Sequence, residues 1–162
     1  MPEKIIIGIG EYRAANSSFI LVTLGLGSCV GVCLRDSKNL IGGLIHVMLP
    51  ESGGKQVPKP GKYADTGIPI LIEEMKKIGA KISGLEAKIG GGASMFKNSG
   101  SSMEVGKRNA EAVKEVLKSL GIRIISEDIF GNRARSLEFD IKTGDLNIRK
   151  VGGGEQTLLF KI

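Results

Sequence analysis

A chain of 162 residues with 41% hydrophobic and 25% charged side chains carries enough apolar material for a packed core, which excludes a disordered or fibrous class. Two cysteines give no disulfide framework, and with a single histidine they cannot close a tetrahedral metal site, so neither a metal nor another cofactor is expected. The net charge of +6 comes with no Trp, two Tyr and no zinc-finger, RNP or helix-turn-helix pattern, so it excludes a recognisable nucleic-acid reader and favours steering toward an acidic protein partner.

The predicted elements alternate short strands with two helices. Residues 4–9, 19–24, 30–34 and 40–47 read as strands, each apolar and bounded by turn residues. The nearly uncharged stretch 17–34 approaches the length of a membrane span, but its glycines, Thr23 and Ser28 divide it into two buried strands, so no membrane insertion is expected. A loop at 51–61, rich in Gly, Pro and Lys, follows the histidine strand as a candidate rim. Asp65 or Thr66 caps a predicted helix running to 78, with Ile70, Ile72, Met75 and Ile78 as its apolar stripe and Gly79 as its stop. A strand at 85–89 comes next, then a second helix at 107–120 whose Ala110, Val113, Leu117 and Leu120 face the core before Gly121. Strands at 122–128, 136–141 and 146–151 complete an α+β pattern, and the apolar tail after Gly152–Gly154 either docks on its own fold or meets a partner. One domain, residues 1–162, is expected, and an N-terminus too short in apolar residues for a secretory signal makes the expected location cytoplasmic.

Chemistry concentrates at two places. Cys29 ends the run TLGLGSC at 23–29, and His46, the one histidine, lies in GGLIHVMLP at 42–50. A thiol becomes a nucleophile near neutral pH only with a base at hand, and imidazole has the pKa for that exchange. Two strands joined by the polar turn at 35–39 would bring the pair within reach of each other. Glycines 25 and 27 permit a sharp corner that frees the backbone N–H groups of Ser28 and Cys29 to hold an oxyanion. Cys33, in the strand interior, reads as a buried and inert thiol, while Ser28 belongs to the turn. The glycines at 90–92 lack the Gly-Lys-Ser/Thr ending of a phosphate loop, so their expected role is close backbone approach beside the site.

The blocks TLGLGSCV at 23–30, GLIHVMLP at 43–50, AKIGGGASMF at 87–96 and GKRN at 106–109 resemble those of the CheD family, the chemoreceptor glutamine deamidases of bacterial and archaeal chemotaxis. The resemblance implies a catalytic set of Cys29, His46 and Thr23, with threonine orienting the imidazole. It further implies layered mixed β-sheets packed with two main helices, similar to the deamidase fold of cytotoxic necrotizing factor toxins. The expected substrate is the cytoplasmic helices of chemoreceptors, whose glutamines become glutamates, with hydrolysis of glutamate methyl esters open to the same chemistry. CheC, a phosphatase, is the expected regulatory partner. Gly91 and Phe96 are the candidate substrate- or partner-binding residues. From another class, the rival is a non-catalytic adaptor that binds receptors and CheC through the same groove with Cys29 merely buried.

Overall fold

A computed structural model describes residues 2–54, 56–94, 100–152, 154 and 156–162, with the backbone alone at 100–104. Among the described residues, ten strands form two five-stranded sheets. The outer sheet runs in the order β1 (Glu3–Ile6), β3 (Phe19–Leu26), β8 (Ala134–Asp140), β9 (Leu146–Val151) and β10 (Leu158–Lys161). The central sheet runs β2 (Tyr12–Asn16), β5 (Ile41–Val47), β4 (Val30–Asp36), β6 (Leu85–Gly91) and β7 (Arg123–Ile129). Both are mixed: β1 pairs parallel with β3 and β6 parallel with β7, and the remaining neighbours are antiparallel. Helices α1 (Ala64–Lys77) and α2 (Gly100–Ser119) lie on the central sheet, α2 forming the crossover that a parallel β6–β7 pair requires.

The alternation of side chains along β4 and β5 decides what each face touches. Val30, Val32 and Leu34, with Ile41, Ile45 and Val47, turn to the helices and share a core with Ile68, Leu71 and Met75 of α1 and Ala110, Val113 and Leu117 of α2. Cys33 and Leu44 turn the other way, into a second core with Leu21, Leu26, Leu137, Phe139 and Ile148 of the outer sheet. Every residue of β5 is buried, which explains its reading as a continuous apolar run and makes one polar side chain within it, His46, conspicuous. Asp36 fixes the β4–β5 register by accepting from the amides of Lys38 and Asn39 and from the Asn39 side chain.

Several boundaries differ from the sequence reading. The first strand ends at Ile6 because Gly8 and Gly10 turn the chain away, and β2 was not anticipated, its YRAAN sequence lacking an apolar alternation. Helix α1 begins on Tyr63 without a side-chain cap, since Asp65 accepts from Ser52 and the Thr66 hydroxyl donates to Pro60 O. Its buried stripe is Ile68, Leu71, Ile72 and Met75, whereas Ile70 is half-buried and Ile78 exposed. The C-terminal tail docks on its own fold as β10, paired with β9. Among the described residues no helix is long and apolar enough to cross a membrane.

Candidate active site

The corner between β3 and β4 carries the thiol. Gly25, at φ +69°, sits where the β3–β8 register shifts between Thr23 and Leu26, so the strand bulges and releases the chain toward residues 27–29. All three carbonyls of that corner are tied down: Gly27 O accepts from Ala93 N at 2.9 Å, Ser28 O from Asn109 Nδ2 at 3.0 Å and Cys29 O from Gly92 N at 2.8 Å. The amides of Ser28 and Cys29, by contrast, donate to nothing among the described residues. Fixed carbonyls and two adjacent open N–H groups are what an oxyanion site needs of a backbone.

His46 is 1% exposed and sits opposite Gly31 in the β4–β5 ladder, whose last pair is Val30 with Val47, so Cys29 is the residue just beyond the end of the strand that neighbours His46. From the outer sheet comes Thr23, fully buried, whose Oγ1 is 2.8 Å from His46 Nδ1 and 2.7 Å from Ile7 O. A carbonyl only accepts, so the single hydroxyl proton goes to Ile7 O, and Thr23 must accept from Nδ1–H. The tautomer follows: Nδ1 carries the proton and Nε2 a lone pair. Nε2 is buried and has no hydrogen-bond partner among the described residues, so no hydrogen bond joins it to the Cys29 thiol. Such bonds often tighten only when substrate closes the site.

Burial sets the protonation states. It pushes the Cys29 thiol above its ordinary range and lowers the His46 pKa from 6.5 to about 4. A resting thiolate–imidazolium pair, the ordinary way for a histidine to lower a thiol's pKa, is thus replaced by a neutral thiol beside a neutral base. Desolvation by burial is the cause at His46, and the Thr23 hydroxyl, being neutral, orients the imidazole without compensating a positive charge.

The other candidate residues fall as follows. Cys33 is fully buried in the inter-sheet core, where burial pushes its thiol far up. Gly91, at φ +118°, leans its backbone on Cys29, and a Cβ there would lie 2.2 Å from Cys29 O. Phe96 lies outside the described residues. No cluster of metal-binding side chains occurs among the described residues. A surface concavity of about 510 Å³ on the outer sheet, lined by Leu24, Glu138 and Leu159, holds none of Cys29, His46 and Thr23.

Two supporting residues were missed as such. Asn109 is fully buried and gives both amide hydrogens to backbone, at Ser28 O and, 2.9 Å away, Met48 O, tying the Cys29 corner to the end of the histidine strand. Its signal was a polar residue in phase with Val113 and Leu117 on the buried helix face. Arg135, 2% exposed, is in phase with the inward Leu137 and Phe139 of β8; it pairs with Asp128 at 2.7 Å and reaches Gly91 O at 3.3 Å.

The chain is similar to known proteins along nearly its whole length. A family model described as CheD chemotactic sensory transduction matches residues 48–150. The chemoreceptor glutamine deamidase CheD of Thermotoga maritima is 60% identical over 159 residues, covering 98% of this chain and 99% of its own. A probable chemoreceptor glutamine deamidase CheD of Desulforamulus reducens is 48% identical over 152 residues, 92% of each chain. A crystal structure of a Neisseria meningitidis protein assigned to the family model DUF152 aligns with 81% of this chain and 63% of its own at TM-score 0.49 and 9% identity. With the family model spanning well over half of the sequence and these relatives matching nearly all of it, the chain belongs to the CheD family of chemotactic sensory transduction proteins.

Proposed function

We propose that this protein deamidates glutamine side chains of chemoreceptors by a cysteine thioester mechanism, with Cys29 as nucleophile, His46 as base and Thr23 as orienter. The observation that carries the reading is the Thr23 hydroxyl shared between Ile7 O and His46 Nδ1, which leaves the Nε2 lone pair on the strand neighbouring the thiol. The names of the relatives, chemoreceptor glutamine deamidases, support the substrate class.

In this mechanism His46 Nε2 takes the thiol proton as sulfur attacks the carboxamide carbon, and the oxyanion is held by the Ser28 and Cys29 amides. The imidazolium then protonates the departing nitrogen, the C–N bond breaks and ammonia leaves a thioester. Water attacks next, its proton passing to Nε2; the C–S bond breaks, sulfur recovers a proton, and glutamate is released. Because His46 resists charge, imidazolium forms only in company with the thiolate or the oxyanion, which concentrates its stabilisation on the reacting states. A glutamate methyl ester would follow the same path with methanol as the leaving group. The protein acts in the cytoplasm, on receptor helices, and CheC regulates it by competing at the same opening.

Incubating purified receptor cytoplasmic domains with the protein is expected to release ammonia in step with a gain of about one mass unit per modified glutamine. Binding of the receptor with neither ammonia nor a mass gain would replace the enzyme with the adaptor.

A further inference from the structure

Phe130 occupies a place that an aromatic residue has no local reason to occupy. Its φ is +71° and that of Gly131 is +75°, a left-handed pair for which Asn-Gly or Gly-Gly is the ordinary solution. Phe130 is also 39% exposed and belongs to neither apolar core, unlike its neighbour Ile129, which packs on the helix-side one. The ring thus lies outside both cores and partly open to solvent, while its backbone carries strain.

The surroundings hold that strain in place. Phe130 N donates to Gly91 O at 3.0 Å, and Ser94 N to Gly131 O at 2.8 Å. The buried Arg135 guanidinium donates to Phe130 O at 2.8 Å and pairs with Asp128, which Lys150 holds on its other oxygen at 3.0 Å. Gly91 and Gly92 in turn press on the Cys29 carbonyl, so Phe130 is two backbone hydrogen bonds from the nucleophile's residue. Strain held by an ion pair to a buried arginine, close to the Cys29 corner, points to a residue that serves by what it presents.

We propose that Phe130 is a substrate-recognition residue, an exposed ring at the rim of the Cys29 site that packs on the apolar surface of the receptor helix bearing the target glutamine. The inference rests on the deamidase reading for the identity of that helix. A glutamine amide alone offers little binding surface, and a preset aromatic supplies apolar contact without ordering a flexible side chain.

The test is the affinity of a fluorescently labelled receptor cytoplasmic fragment, read by anisotropy in a Cys29→Ala background so that no turnover intervenes, together with the melting temperature. Phe130→Gly is expected to weaken binding about tenfold or more while leaving the melting temperature equal or higher, since glycine accepts the left-handed backbone. Phe130→Tyr should restore affinity. Unchanged affinity in Phe130→Gly overturns the proposal, and so does a melting temperature lowered in parallel with binding, the mark of a structural ring. The deamidase reading fails separately: wild-type protein that binds the fragment through Phe130 yet releases no ammonia would retain the recognition role and lose the reaction.

Discussion

Cys29→Ala is expected to lower glutamate formation by about four orders of magnitude or more, His46→Ala by a comparable factor, and the double variant by no more than either alone. The non-additivity follows from the geometry. Once sulfur is absent, the lone pair on Nε2 has no proton to take, and without that lone pair the neutral, desolvated thiol stays protonated. Cys33→Ala is the control, since that thiol is shut in the inter-sheet core and costs only packing. Thr23→Val should lose less than His46→Ala, because it releases the tautomer and strands Ile7 O without removing the base. Rates from receptor fragments, with circular dichroism to verify the fold, decide the matter; additive losses at Cys29 and His46 would mean that they do not act as a unit.

Acid is expected to destabilise the fold through His46 by roughly 3 kcal/mol, from the depression of its pKa from 6.5 to about 4. Above pH 6.5 the imidazole is neutral whether the chain is folded or unfolded, and it contributes no slope. Between 6.5 and about 4 the unfolded chain takes up a proton that the folded chain refuses, so stability falls as pH falls. Below that, both forms are charged and the slope ends. Urea unfolding of the wild type and of His46→Gln across this range isolates the term, because carboxylates titrate alike in both proteins. Parallel stability–pH curves would show that His46 is not buried neutral.

What the sequence made legible was local chemistry carried on local pairing. The pairing of the strand that follows Cys29 with the strand of His46 was readable because one turn joins them, and His46 stood out as a candidate because it is the polar side chain in an otherwise apolar strand. Thr23 was not readable from residue type alone. Its contact with His46 spans two sheets, and nothing in the strand pattern says that β1 pairs with β3 while the intervening β2 joins the other sheet. Asn109 and Arg135 left weak traces, polar residues in phase with buried apolar ones, but their partners are backbone carbonyls set by tertiary packing. The depressed charge state of His46 was invisible for the same reason, since it comes from a burial that only the stacked sheets produce.

The chain's single histidine makes one measurement unusually direct. In a long-range nitrogen–proton correlation spectrum of the nitrogen-15-labelled protein, only one imidazole contributes. The expected result is a neutral ring at pH 7 with the proton on Nδ1, an unprotonated Nε2, and titration toward the imidazolium only as pH approaches about 4. A ring protonated on Nε2, or an imidazolium persisting at neutral pH beside a Cys29 thiolate, would contradict the neutral dyad on which the mechanism rests.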